Sequence, residues 1–472
     1  MRDDGSSSER SGTGGIDLHL DRRAGVGSGE LAASLRTAIR ENRLTAGSRV
    51  PSTRLLATDL GVSRGTVTRA YELLVAEGLL VTRQGAATTV AAVDSPVPER
   101  RRESATRRAT ELRWDLRPGK PDLSGFPRAD WLAAQRRALR AVPAEELDYG
   151  HPAGHPALRG ALAEYLARVR GVRTSPERIV VFGGYGEALG MLCEVLARRG
   201  VSAVDFEDPS LPELRRIAGE SGPRVRGVPL DGSGIEPAGA HSPVVVVTPA
   251  HQYPLGITMS AERRIELGRL ARAEDRLIVE DDYDGEFRFD REPVAALQRI
   301  APRQVVYAGT ASKTLAPGLR LAWLALPERL VEPVREHKAN GDRTPPVTEQ
   351  LTLAEMLRSG SYDQHVRRCR AGYERRRQRV VAALTESKVR HELYPAGIAA
   401  GLHLTLRLAP EGPSERRVLR RLRRHSVAVK GLSEHWMDDR LRQEGLVIGY
   451  AAPPGHAFGQ ALRALLRALT ED

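Results

Sequence analysis

Cysteine is almost missing from this chain of 472 residues, which carries only Cys193 and Cys369. Two cysteines so far apart make neither a metal-ligand spacing nor a disulfide framework. No metal site is therefore expected, and a reducing cytoplasm is the expected compartment. Long apolar runs are also lacking, since none reaches the ~18 residues that a membrane-spanning helix needs. The opening residues are polar, with mixed charge and no apolar core of a signal peptide, so no membrane partner is expected. Lysine is the third scarcity. It occurs only at Lys120, Lys313, Lys338, Lys388 and Lys430, so arginine supplies nearly all of the 72 basic side chains. Their excess over 60 acidic residues gives a net charge of +12. That charge is compatible with a polyanionic partner, but it is spread too evenly to locate one.

What is present divides the chain. At 41% apolar residues there is ample material for a core, and the length suggests two or three domains of ~150 residues. Residues 1–26 read as a disordered tail, mostly Ser, Gly and charge, with a brief alternation over 16–20 that could form a strand or arm. From Gly27 the pattern is helical: Leu31, Leu35, Ala38 and Ile39 share a face. Ser52 is placed to cap a second helix carrying Leu55, Leu56 and Ala57, and Ser63 to cap a third. The third helix turns Val67, Ala70, Tyr71 and Leu74 inward, and Gly78 stops it. Two short apolar strands then flank Arg83-Gln84-Gly85-Ala86. Three helices and a hairpin over residues 27–92 predict a winged helix-turn-helix. On its third helix Arg64, Gly65, Thr68 and Arg69 fall at the N-terminal end or on the outward face, where a recognition helix meets bases and phosphates. Arg54, Arg83 and Gln84 extend that surface. A winged module used for protein contacts, with solvated arginines, is the alternative.

Residues 93–113, with Pro96, Pro98 and Arg100-Arg101-Arg102, read as a linker. From 114 to 472, apolar runs alternate with helical patterns, which predicts a largely parallel sheet covered by helices. The runs end at Gly183-Gly184, Glu207-Asp208-Pro209, Thr248-Pro249, Glu280-Asp281-Asp282 and Gly309-Thr310. Ligands bind at the carboxyl ends of such strands, so one pocket could collect all five stretches. Four of the lysines stand among charged or polar neighbours and read as solvated. Lys313 alone lies between small and apolar residues, where desolvation would lower its pKa and favour a Schiff base. Ser312 and Arg320 could both reach a phosphate. Gly183-Gly184-Tyr185-Gly186 should open a helix and offer backbone amides to one. Asp281 and Tyr283, two apart at a strand end, can share a face.

These strings resemble known families. Pro51-Ser52-Thr53-Arg54, then Leu60 through Val67, Ala70-Tyr71 and Glu77-Gly78-Leu79 resemble the GntR-family DNA-binding domain. The likeness implies that Arg54, Arg64, Thr66, Thr68 and Gly85 contact double-stranded operator DNA. Ala87-Thr88-Thr89 departs from the family's usual wing. The segment Gly309-Thr310-Ala311-Ser312-Lys313 through Arg320 resembles the pyridoxal-phosphate lysine motif of fold-type I aminotransferases, and residues 279–287 resemble another signature of that family. By this likeness Lys313 carries pyridoxal 5'-phosphate as a Schiff base, and Ser312 and Arg320 hold its phosphate near Gly184, Tyr185 and Gly186. Asp281 would face the pyridine nitrogen and Tyr283 the ring hydroxyl. Tyr149 would reach the neighbouring subunit's phosphate, implying a head-to-tail homodimer. Thr248-Pro249-Ala250-His251-Gln252-Tyr253-Pro254-Leu255-Gly256 resembles a string of MocR-type regulators, whose two-module layout this chain shares.

Three readings follow: a transcription factor that senses pyridoxal phosphate or an amine or amino-acid effector, a working aminotransferase with a DNA-binding head, and a regulator with an empty pocket. Lys313, Asp281, Tyr283 and Arg320 argue against the third. Against the second, Val447 stands where aminotransferases place an arginine for the substrate carboxylate, although Arg440 or Arg442 could substitute. Whether any transamination occurs stays open at this point.

Overall fold

The computed structural model describes residues 27–41, 43–82, 87–91, 112–289, 295–341, 344–387 and 393–470. The expectations for the tail, for the wing residues Arg83, Gln84 and Gly85 and for most of the linker lie outside them. The chain divides into two units, Met1–Ala109 and Thr110–Asp472.

In the first unit, α1 (Ser28–Arg40), α2 (Thr53–Leu60) and α3 (Arg64–Ala76) precede the strands β1 (Leu80–Val81) and β2 (Thr89–Val90), which pair antiparallel. Both expected caps form: the Ser52 hydroxyl accepts from Leu55 N and that of Ser63 from Thr66 N. Each satisfies a backbone donor that the first helical turn leaves unpaired. Leu31, Leu35 and Ala38 of α1 meet Val67, Ala70, Tyr71 and Leu74 of α3 in one core. The Tyr71 hydroxyl donates to Pro51 O at 2.8 Å, tying α3 to the approach of α2. Leu55 does not join them. It is 55% exposed, and only Leu56 and Ala57 of that helix are buried. Successive helical residues turn by about 100°, which sets Leu55 off the face that Leu56 and Ala57 turn to the core.

The second unit adds β3 (Trp114–Asp115), α4 (Arg128–Ala141), α5 (Pro156–Arg170), β4 (Ile179–Phe182), α6 (Tyr185–Arg198), β5 (Ala203–Asp208), α7 (Pro212–Glu220), β6 (Arg224–Asp231), β7 (Gly234–Ile235), β8 (Val244–Val247), α8 (Ala261–Ala273), β9 (Leu277–Asp281), β10 (Val305–Thr310) and β11 (Ala322–Ala325). Eight of these strands form one sheet in the order β4-β11-β10-β9-β8-β5-β6-β7. Strands β10, β9, β8, β5 and β6 run parallel, while β11 is antiparallel to both neighbours and β7 to β6. Side chains alternate across it as strand geometry requires. Val180 and Phe182 pack with α6, whereas Ile179 and Val181 pack with α5.

Beyond the sheet come α9 (Glu328–Ala339), α10 (Val347–Arg358), α11 (Ser361–Glu386), β12 (Leu393–Ala396), β13 (His403–Leu408), α12 (Glu415–Arg424), β14 (Val427–Ala428), β15 (Lys430–Gly431), β16 (Gly445–Gly449) and α13 (Phe458–Thr470). Strands β12, β13, β16 and β15 make a second, antiparallel sheet. It shares a core with α11, α12 and α13.

Among the buried charged groups are Lys338 and Asp282, the first of them against its sequence reading. Lys338, expected on the surface, is 1% exposed and donates from Nζ to Pro152 O at 2.8 Å. Burial pushes its amine down to about 8. Asp282 is buried with Arg170, whose Nε donates to its Oδ2 at 2.6 Å, and the Tyr307 hydroxyl donates to the same oxygen at 2.7 Å. Breaking a buried pair leaves a charge without compensation. Arg170→Met should therefore lower unfolding stability by about 3–5 kcal/mol, measured as an earlier urea transition of the large unit.

Candidate functional site

The strand ends converge on one cavity of about 340 Å³. Tyr185 and Gly186 follow β4, Glu207 lies in β5, Thr248 follows β8, Asp281 ends β9 and Thr310 ends β10, and all six residues line it. Each of the five stretches singled out in the sequence thus reaches the same space, or places its next residues there.

Lys313 stands in the turn after β10, its Nζ donating to Gly119 O at 2.6 Å. Burial lowers the amine's pKa, and the carboxyls of Asp281 and Asp284 act the other way. Asp281 shares the cavity. Burial raises its carboxyl well above the usual range; Lys313 opposes that shift, and Asp282, Asp284 and Glu207 add to it. Its carboxyl takes no hydrogen bond among the described residues. The acidic triplet therefore divides three ways. Glu280 accepts from Leu297 N and Gln298 N, Asp281 faces the cavity, and Asp282 pairs with Arg170.

The loop before α6 makes the other wall. Gly184 is the N-cap of that helix, at φ 122°, and Tyr185 and Gly186 open it. The backbone conformation at Gly184 requires glycine, and a Cβ there would come within 2.8 Å of the Arg320 guanidinium and displace it. Arg320 is itself at φ 52° and exposed. The Tyr185 hydroxyl is buried without a hydrogen-bond partner. Ser312 lines the cavity, and its Oγ accepts from Thr310 Oγ1 at 2.9 Å.

Pyridoxal 5'-phosphate fits this set of donors. An amine, a carboxyl awaiting a protonated nitrogen, an orphaned phenol, and a guanidinium beside a helix N-terminus match its aldehyde, ring and phosphate.

Some expected residues lie apart. Tyr149 is 90% exposed and does not line this cavity. Val447 is fully buried in β16. Arg440 is paired with Asp438 and Arg442 with Asp439, and neither lines the cavity, so neither replaces the missing arginine clamp here. Tyr283 does line it, with its hydroxyl donating to His251 O at 3.0 Å and lying 3.1 Å from His251 Nδ1. His251, given no role from sequence, is 2.9 Å from Asp284 Oδ2 through Nδ1. Glu213, Tyr253 and His403 are cavity residues that sequence reading did not assign. They come from three distant parts of the chain, and no local spacing announces them.

In the smaller unit Arg54, Arg64, Gly65, Thr68 and Arg69 are exposed, and Thr66 is half-buried. Arg64 Nε lies 3.4 Å from Thr53 Oγ1, which brings the start of α3 to that of α2. Thr68 Oγ1 donates to Arg64 O, and Arg69 pairs with Glu72.

A winged helix-turn-helix and a fold-type I transferase domain with a lysine–carboxylate cavity define a composite DNA-binding regulator. Residues 28–90 match bacterial regulatory proteins of the gntR family, and residues 119–463 match aminotransferase class I and II. The chain belongs to the MocR-type HTH transcriptional regulators, in which these two domains are joined. It is 31% identical to the probable rhizopine catabolism regulatory protein MocR of Rhizobium meliloti, over 95% of either chain. It is 32% identical to the HTH-type pyridoxine biosynthesis transcriptional regulator PdxR of Corynebacterium glutamicum, covering 90% of this chain and 91% of that one. Among solved structures, an archaeal alanine:glyoxylate aminotransferase matches at a TM-score of 0.68 and 25% identity, over 77% of this chain and 92% of its own. Among the described residues, no helix is long and apolar enough to cross a membrane.

Proposed function

We propose that the large domain holds pyridoxal 5'-phosphate on Lys313, and that the chain regulates transcription from operator DNA in response to that cofactor or to an amine or amino acid. The observation that carries this reading is the Asp281 carboxyl, raised by burial and without a hydrogen bond among the described residues, in one cavity with Lys313. When bound, the cofactor supplies an aldehyde that condenses with a primary amine. Lys313 presents that amine, Asp281 holds a proton at the ring nitrogen, and Arg320 with the start of α6 binds the phosphate. The Tyr283 hydroxyl orients toward the ring hydroxyl. In a head-to-tail homodimer the exposed Tyr149 serves the neighbouring subunit's phosphate.

Transport of the signal requires that the effector favour one arrangement of the dimer over another, since equal affinity for both would shift nothing. Two winged heads then meet operator half-sites at a matched separation. Val447, where an arginine clamp would sit, supports sensing over turnover, because a substrate carboxylate is left without a bidentate partner. Incubation with amino acids should yield no keto acid at a rate useful to a cell.

The test follows from the depressed amine. Only a neutral amine attacks an aldehyde, and burial favours that form of Lys313. Borohydride trapping of pyridoxal phosphate at Lys313 should therefore extend to lower pH than trapping by free lysine, falling off only as Lys313 gains its proton. Trapping that tracks free lysine across the titration would contradict the proposal.

A further inference from the structure

The charges around the cavity are unbalanced beyond Lys313. Among the described residues no arginine lines it, whereas Glu207, Glu213 and Asp281 do. Asp281 is taken by the ring nitrogen in the reading above, which leaves two carboxyls with no assigned task. Glu207 is 2% exposed. Its Oε2 accepts from Thr248 Oγ1 at 2.5 Å and Thr248 N at 3.1 Å, with Gln252 Nε2 at 3.4 Å. Its Oε1 takes no hydrogen bond among the described residues, so a carboxyl oxygen of a cavity-lining residue is left to meet a ligand. Glu213 opens α7 and is exposed, with neither a hydrogen bond nor an ion pair among the described residues. Tyr253 lies beside it, held by its hydroxyl 3.1 Å from His435 Nε2.

This lining repels a ligand carboxylate and attracts a cation. Glutamates at the first turn of a helix are common for their interaction with the helix dipole, which would account for Glu213 alone. It does not account for Glu207, which is in a strand, is buried and has one oxygen unused.

We infer that the cavity beyond Lys313 accepts a primary amine bearing a second cationic group and no carboxylate, such as a short alkyl diamine, with Glu207 and Glu213 facing the second charge. The inference rests on the sensing function proposed above and names the chemical class of its effector. One amine faces the Lys313 end, and the apolar stretch of the chain passes Leu211, Leu214 and Val246, which also line the cavity. A charged hydrogen bond to a sequestered carboxylate is worth more than a neutral one. Burial pushes the Glu207 carboxyl up to about 7, so a cation placed beside it favours its charged form, whereas a ligand carboxylate gains nothing there.

Calorimetry on the full-length protein tests this, with 1,4-diaminobutane, 1-aminobutane and 4-aminobutanoate as probes, each with and without pyridoxal phosphate. The expected order is diamine tighter than monoamine by about tenfold or more, as a charge-assisted bond allows, with the amino acid weakest. Glu213→Gln, at an exposed position, should remove most of the preference by weakening diamine binding far more than monoamine binding. Glu207→Gln should do the same if it folds, which the thermal transition reports. Equal affinity for diamine and monoamine, or tighter binding of 4-aminobutanoate, would overturn the inference. Failure of cofactor attachment is scored separately by borohydride-retained mass on Lys313. A diamine preference without that mass would keep the cationic pocket and defeat the sensing reading instead.

Discussion

Lys313→Ala should abolish covalent retention of pyridoxal phosphate and, with it, any change in operator affinity when amines are added. The effect is large because Lys313 supplies the cavity's amine, and nothing else lining that space can form the same bond. Gly184, Arg320 and the start of α6, proposed above to hold the phosphate, are untouched in this variant, so reversible binding of the cofactor should persist at reduced affinity. The fold should also persist. Alanine gives up one hydrogen bond from Nζ to Gly119 O, a net contribution of about 1 kcal/mol, and relieves the burial of an amine. The measurement pairs operator titrations, with and without an amine, with absorbance of the cofactor after gel filtration. An amine response equal to that of the unaltered chain would remove Lys313 from the mechanism.

The second large effect belongs to the other unit. Arg64→Ala should weaken operator binding by about 10-fold to 100-fold, since a guanidinium at the start of a recognition helix offers a two-pronged contact to a guanine edge worth ~1–3 kcal/mol. Arg64 is exposed, and its link to Thr53 Oγ1 is long at 3.4 Å, so the helix does not depend on it. Ser63 still caps α3 through Thr66 N. Unfolding stability of the head should therefore be unchanged, whereas Ser63→Ala should cost about 1 kcal/mol of it. Salt separates two kinds of contact. Arg69→Ala should lower the slope of log affinity against log salt by about one if Arg69 meets a phosphate. Undiminished operator affinity in Arg64→Ala would move the recognition surface elsewhere on the head.

Much of this was legible in the sequence, for definable reasons. The helical head follows from Ser52, Ser63 and the inward face of α3, all of which are local signals. The cavity follows from the ends of five apolar runs, because a parallel sheet brings those ends to one edge. Lys338 shows where the reading faltered. Its immediate neighbours Glu336, His337 and Asn340 are polar, yet Leu330 and Val334 precede it by eight and four positions. Those three share one buried stripe of α9, and helical spacing rather than neighbouring polarity was the signal to follow. Leu55 shows the converse, an apolar side chain placed by sequence on the second helix, with no face assigned, that the turn of α2 carries outward. Glu213, Tyr253 and His403 could not be assigned by any local rule, because only the tertiary fold brings α7, the loop after β8 and β13 to the same cavity. The idle oxygen of Glu207 is of the same kind. Its sequence context predicted a strand end, but the partners that occupy its other oxygen, Thr248 and Gln252, lie 41 and 45 positions further along the chain.

Lys338 also makes the decisive measurement sharper, since it is a second buried lysine with a lowered pKa, at about 8. The full-length protein would be incubated with pyridoxal phosphate at neutral pH, reduced with borohydride, digested, and its labelled peptides identified by mass. The account predicts a phosphopyridoxyl group on Lys313, at close to one per chain, and none on Lys338. A label on Lys338, or no label on either lysine, would contradict it.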